Sequence, residues 1–281
     1  MIRGIIAGYY RSGTTIFQRM YKISKQTDIV LHEPTAHHIV DFMLQCGYSK
    51  YIDLHGWKCL EDYGLLPQLV LHEFVRRHTL VFDDFKSNRG IITDAEVLDS
   101  LFEPLQACPR PIVIKTTQLA LFLDYVSRKY LCWVLWLDRD TERIIADHAP
   151  IDKLDALTKP STVTPFFGGL VYDELTRLFN VNPNARTPLQ KLVFNIEVIR
   201  KVVRKQAEKN RLIHIINFDD FVENPHKYLD KLPFRLTDEA LKLIDPSKRN
   251  PIPNKLRELV NKARSKFEDI IREIRWNNGS D

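Results

Sequence analysis

The 281-residue chain contains only four cysteines (Cys46, Cys59, Cys108 and Cys132), none in a CxxC pair and none at metal-ligand spacing. A disulfide scaffold and a cysteine-built metal centre are excluded, and reduced, mostly buried thiols are expected. Long apolar runs are missing too. The longest, Leu131 to Leu137, falls far short of the ~20 residues that a membrane span needs. The apolar start at Ile5, Ile6 and Ala7 runs straight into Tyr9, Tyr10 and Arg11, which is too short for a secretory leader, so a cytoplasmic location is expected. Repeats, low-complexity tracts and linkers are absent, and glycine is held to 10 residues, which excludes collagen-like, repeat and disordered architectures.

What is present suits one globular domain over 1–281: 44% hydrophobic and 27% charged residues. The formal net charge is +5, and its position matters more than its size. Between Lys248 and Arg275 nine basic residues face four acidic ones, 9 − 4 = +5, so the rest of the chain is formally neutral. A local anionic partner or a solvated helix face fits that distribution, whereas a nucleic-acid polymer does not.

Apolar, β-branched runs alternate with stretches of helical periodicity, the pattern of an α/β fold with a parallel sheet covered on both faces by helices. Strands are expected over Ile2 to Ala7, Asp28 to Leu31, Pro111 to Ile114, Leu131 to Leu137 and Leu212 to Asn217. Helices are expected over Thr14 to Ser24, Thr35 to Cys46, Cys59 to His78, Leu119 to Lys129 and Pro188 to Lys209. Asn224-Pro225 reads as an N-cap and first-turn proline. A basic amphipathic helix is expected at about 253–276, with Leu256, Leu259, Val260, Ala263, Phe267, Ile270, Ile271 and Ile274 on one stripe. Asp83 to Gly90 and His148 to Gly169 read as long loops of the kind that bind substrates.

The segment Ile5 to Thr15 carries the strongest signal: a strand, a turn bounded by Gly8 and Gly13, and a helix starting at Thr14-Thr15. Such a turn aims backbone N–H groups inward and adds the partial positive charge of a helix start, a cradle for phosphate-like oxyanions. The glycine spacing is that of GxxxxGK[ST], but Thr14 stands in place of the lysine and the cation is Arg11, inside the loop.

Arg11-Ser12-Gly13-Thr14-Thr15 after an N-terminal strand resembles the 5′-phosphosulfate loop of sulfotransferases that use 3′-phosphoadenosine 5′-phosphosulfate. Three later segments, in the same order as in that family, strengthen the likeness: Val113 to Thr117, Val134 to Asp140 running to His148, and Ile213 to Pro225. The resemblance implies a P-loop-like α/β fold with helices on both sides of the sheet, and sulfuryl transfer to a hydroxyl of a small molecule, carbohydrate or protein, without a metal. It implies that Arg11, Ser12, Gly13, Thr14 and Thr15 hold the 5′-phosphosulfate, that Lys115 faces the sulfate, and that Arg139 binds the 3′-phosphate. The family's serine eight residues after that arginine falls on Asp147, a carboxylate that repels phosphate. Either Asp147 points away and Thr141, Arg143 or the basic pair Lys248 and Arg249 supplies the contact, or the donor is not the usual one.

The general base is expected at Glu33, at a strand end among cations, with His32 second, because Thr117 stands where many members carry a histidine. A zinc site from His32, Glu33, His37 and His38 is rejected: the histidine intervals are five and six rather than four, and Pro34 interrupts the turn. Two other classes compete. A P-loop kinase or NTPase using ATP and Mg²⁺ is suggested by the strand ending in Asp138, and a catalytically inactive nucleotide-binding relative by Asp147 and the missing histidine. The acceptor is not specified, although Trp57, Tyr63, Phe82, Phe85, Phe166 and Phe167 are candidates to wall its site.

Overall fold

In the computed structural model, residues 1–36, 40, 60–84, 91–148, 154–160, 168–248 and 251–275 are described. Five strands, β1 (Ile2–Gly8), β2 (Ile29–His32), β3 (Ile112–Thr116), β4 (Trp133–Asp138) and β5 (Ile213–Asn217), form one sheet in the order β2-β3-β1-β4-β5. Every pairing is parallel. This is the P-loop-like α/β sheet with helices on both faces, as expected.

The sheet's two faces explain why the strands read as unbroken apolar runs. Ile5 and Ala7 of β1, Ile112 and Ile114 of β3, and Val134 and Trp136 of β4 enter one core. The residues between them, Ile6, Val113, Leu135 and Leu137, enter the other. Side chains alternate across a strand, so burial on both faces keeps these central positions apolar and leaves polar residues such as Lys115 and Thr116 to the strand ends.

The helices are α1 (Thr14–Ser24), α2 (Gln68–Asp84), α3 (Ala95–Gln106), α4 (Leu123–Tyr130), α5 (Thr141–His148), α6 (Leu154–Thr158), α7 (Gly168–Leu178), α8 (Pro188–Lys209), α9 (Phe218–Glu223), α10 (Asp238–Leu241) and α11 (Asn254–Glu273). Helix α1 covers one face with Phe17, Met20 and Tyr21, joined by Phe218 and Phe221 of α9. On the other face lies α8, opened by a capping box between Thr187 and Gln190 with Pro188 in the first turn. Helix α11 packs on α8 through Phe267 against Phe194, ring centroids 5.6 Å apart. Lys201 of α8 donates to the carbonyls of Ile271 and Arg272 at 2.5 and 2.6 Å, satisfying the C-terminal end of α11.

Several boundaries differ from expectation. The fourth strand starts at Trp133, not Leu131, because Leu131 is the left-handed C-cap of α4 (φ 50°) and is 85% exposed. Pro67 splits the expected Cys59 to His78 helix into a 3-10 turn (Glu61–Leu65) and α2. Asn224-Pro225 opens a 3-10 helix (Pro225–Lys231) with no side-chain cap from Asn224. The expected loop from His148 to Gly169 contains α6, and α7 begins at its end. The Thr35 to Cys46 helix lies almost wholly outside the described residues, as do residues 85–90.

The stripe on α11 is as expected, with Leu256, Val260, Ala263, Phe267 and Ile274 buried. Cys108 and Cys132 are free and buried, and burial pushes the Cys132 thiol up to about 12. Cys46 and Cys59 lie outside the described residues. Among the described residues, no helix is long and apolar enough to cross a membrane.

Candidate active site

Because all five strands are parallel, their carboxyl ends share one edge, where open α/β sheets bind ligands. Gly8 ends β1 there, His32 ends β2 with Glu33 next, Lys115-Thr116 end β3, Asp138-Arg139 lie at the end of β4 and Asn217 ends β5.

The loop after β1 turns sharply. Ser12 N donates to Tyr9 O at 3.0 Å, Arg11 is left-handed (φ 65°), and Gly13 follows at φ 90° as the N-cap of α1. Gly13 has no substitute there: a Cβ would sit 2.4 to 2.6 Å from the Phe218 ring. A Cβ on Gly8 would lie 2.2 Å from Ser12 Oγ and 2.9 Å from Leu137 O. The first helical bond runs from Phe17 N to Gly13 O (3.1 Å), so the amides of residues 14–16 have no acceptor within the helix. Ser12 Oγ is buried and has no hydrogen-bond partner among the described residues. An orphaned hydroxyl in a loop of this shape fits an anionic ligand oxygen.

Glu33 stands at the end of β2 in a left-handed conformation (φ 48°), an unusual state for a non-glycine residue that surrounding bonds hold in place. Its amide donates to Lys115 O (2.7 Å) and its carbonyl accepts from Ala36 N (2.9 Å). The side chain is buried. Lys115 Nζ donates to Glu33 Oε1 at 2.6 Å, Thr117 Oγ1 to the same oxygen at 3.2 Å, and Thr117 N to Oε2 at 3.0 Å. Glu33 is therefore turned towards Lys115 and Thr117 rather than capping the turn that follows. Tyr10, on the loop after β1, belongs to the same cluster. Burial and then the Glu33 charge push its phenol up to about 12, against the Thr117 and Gln118 side chains that bond it.

His32 is placed differently. Its Nδ1 shares a 2.7 Å hydrogen bond with Gln18 Oε1 of α1, on the α1 side of the sheet, and its carbonyl accepts from Tyr63 OH at 3.0 Å. Tyr63 is itself fully buried in the core.

Beyond β4 a second charged cluster forms. Arg139 Nη1 donates to Asp147 Oδ2 and to Arg11 O, both at 2.5 Å, and Nε to Asp219 Oδ1 at 3.3 Å. Its guanidinium lies over the Phe218 ring. Asp147 thus faces Arg139 instead of pointing away. The carboxylate of Asp138, at the metal position of the kinase reading, accepts from Arg200 Nε through both oxygens (2.9 and 3.1 Å) and from Arg204 at 3.3 Å. A carboxylate held by two guanidinium groups in that place does not fit a Mg²⁺ ligand. Arg200 also donates to Arg139 O, Thr141 Oγ1 and Glu197 Oε2 (2.7, 3.0 and 2.9 Å). A polar cleft of about 300 Å³ opens beside it, between Arg139, Asp140, Arg204, Asn217 and Arg264. Burial, Asp219 and Glu142 raise the Asp140 carboxyl there.

The described chain thus gathers Arg11, Ser12 and Gly13 on one loop with Thr14 and Thr15 at the start of α1, pairs Glu33 with Lys115, and pairs Arg139, just after β4, with Asp147 of α5. Arg249, Trp57, Phe85, Phe166 and Phe167 lie outside the described residues, as do the side chains of Phe82 and Lys248. Thr117 as a donor to Glu33, Tyr10, Asp219 and Arg200 were not singled out by the sequence. Only the acidic pair Asp219-Asp220 hinted at one of them.

No family model matches the chain. An uncharacterized protein of Archaeoglobus fulgidus is 24% identical over 255 residues, 81% of each chain. Among solved structures, the sulfotransferase STF9 from Mycobacterium avium is similar with a TM-score of 0.45 and 12% identity, over 97% of this chain and 77% of that one.

Proposed function

We propose that the chain transfers a sulfuryl group from 3′-phosphoadenosine 5′-phosphosulfate to a hydroxyl acceptor by in-line displacement. One observation carries this reading above the others: a buried carboxylate, Glu33, bonded by Lys115 and Thr117, stands on the same sheet edge as a left-handed loop whose buried Ser12 hydroxyl has no partner among the described residues.

Each residue then has a chemical task. The amides at the start of α1 and the hydroxyls of Ser12, Thr14 and Thr15 hold the 5′-phosphate. Glu33 has about four lone-pair sites and three are taken by Lys115 and Thr117, which leaves one for the acceptor O–H. As Glu33 takes that proton, the acceptor oxygen bonds to sulfur and the bond from sulfur to the bridging oxygen breaks. The electron pair stays on the departing 3′,5′-bisphosphate. Arg11 and the loop amides neutralise its growing charge, and Lys115 offsets charge on the sulfuryl oxygens. The sulfated acceptor leaves, and Glu33 returns its proton to solvent. Arg139 is the cation for the 3′-phosphate.

Calorimetric titration with adenosine 3′,5′-bisphosphate, run beside ATP with Mg²⁺, tests the reading. The bisphosphate is expected to bind without added metal. Binding of ATP·Mg²⁺ alone would overturn the proposal in favour of the kinase class.

A further inference from the structure

The Arg139 guanidinium is already neutralised. It contacts two carboxylates, Asp147 and Asp219, and the Arg11 carbonyl, with its side chain only 11% exposed. The two carboxylates differ in a way that matters. Asp219 is 9% exposed, and its second oxygen accepts from Asp140 N at 3.1 Å, so it is built into the junction of β4 and α9. Asp147 is 41% exposed and sits in the last turn of α5. Rotation of the Asp147 side chain towards water disturbs no sheet contact. Arg139 meanwhile stays anchored by Asp219, the Arg11 carbonyl and the Phe218 face.

Resting on the nucleotide reading above, we propose that Asp147 is a displaceable resident counter-ion, seated on Arg139 where the second phosphate of the bound nucleotide belongs. The ligand phosphate expels it. The exchange replaces one charge-assisted bond with another, so the arginine contributes less to affinity than an uncommitted one would. The expelled carboxylate, still on α5, also repels the phosphate. Asp147 thereby lowers affinity for any nucleotide that carries the second phosphate, the bisphosphate product included, and a product held less tightly leaves faster. It acts as a determinant of affinity for the second phosphate, not as a reacting group.

Calorimetry on the full chain and on Asp147→Asn and Asp147→Ser tests this, with adenosine 3′,5′-bisphosphate and adenosine 5′-monophosphate as probes. Both variants are expected to bind the bisphosphate about tenfold more tightly, about 1.4 kcal/mol. The monophosphate, which lacks the second phosphate, should change by less than about twofold. Equal tightening of both nucleotides, or an unchanged or weakened bisphosphate, would overturn the counter-ion role while leaving the nucleotide reading intact. Failure of the wild type and both variants to bind either nucleotide would overturn both.

Discussion

Lys115 and Glu33 meet at 2.6 Å between two buried side chains, and the backbone ties the same residues together, Glu33 N donating to Lys115 O at 2.7 Å. The double link fixes the carboxylate relative to the end of β3. A buried ion pair is a weak source of stability, because desolvation offsets much of the attraction. Its placement on the carboxyl edge of the sheet, in a left-handed backbone state, is what the proposed general base requires.

Glu33→Gln removes the proton acceptor while keeping the side chain's size. Turnover is expected to fall by about 10²-fold or more, the range of general-base losses, while affinity for adenosine 3′,5′-bisphosphate stays within about threefold. Steady-state rates paired with calorimetry check it, and retained turnover would move the base elsewhere.

Gly13→Ala places a Cβ against the Phe218 ring in a backbone state that alanine disfavours. A loss of about 2 kcal/mol is expected from the left-handed conformation and the clash. Denaturant midpoints at constant slope measure it. A variant as stable as wild type would mean the loop is not held in this shape.

Arg200→Met leaves Asp138 and Glu197 without the guanidinium that bonds both. Removing one partner from a largely buried ion network costs about 3 kcal/mol, visible in chemical denaturation. If the loss stays below about 1 kcal/mol, the network is solvated in a way its geometry does not indicate.

Glu197 predicts a pH dependence. Burial by itself raises its carboxyl, but Arg200, Arg264 and the Thr141 hydroxyl outweigh that and hold it below its ordinary value of 4.5. A depressed folded value means the stabilisation is complete above the unfolded value and is lost as pH falls through the folded one. Stability of the wild type is therefore expected to decline more steeply below about pH 4.5 than that of Glu197→Gln. Parallel slopes in denaturation series across that window would exclude the effect.

Much of this fold was legible because the strands are buried on both faces. Apolar runs, several of them unbroken, marked the five strands, and the glycine spacing placed the loop and the start of α1 where they stand. The bounds of α8 followed from the apolar spacing over Pro188 to Lys209. Helix α3 was missed although Asp94 caps it, accepting from Glu96 N, because Pro104 interrupts its pattern near the end. The site's separate parts could be read, but their pairings could not. Arg200 reaches Asp138 across 62 residues, and Thr117, noticed only as the absence of a histidine, donates to Glu33 across 84. Local patterns carry no information about which distant charges meet. Asp147 shows this most clearly: its identity signalled a conflict with phosphate, and only the fold revealed that it is seated on Arg139.

The central claim is tested most directly by incubating the protein with sulfate-labelled 3′-phosphoadenosine 5′-phosphosulfate and a panel of sugars, phenols, tyrosine peptides and lipids. Label is expected in at least one hydroxyl acceptor, with bisphosphate released in equal amount and the transfer lost in Arg11→Ala. Absence of label from every acceptor, with phosphate released from ATP·Mg²⁺ by the same preparation, would contradict it.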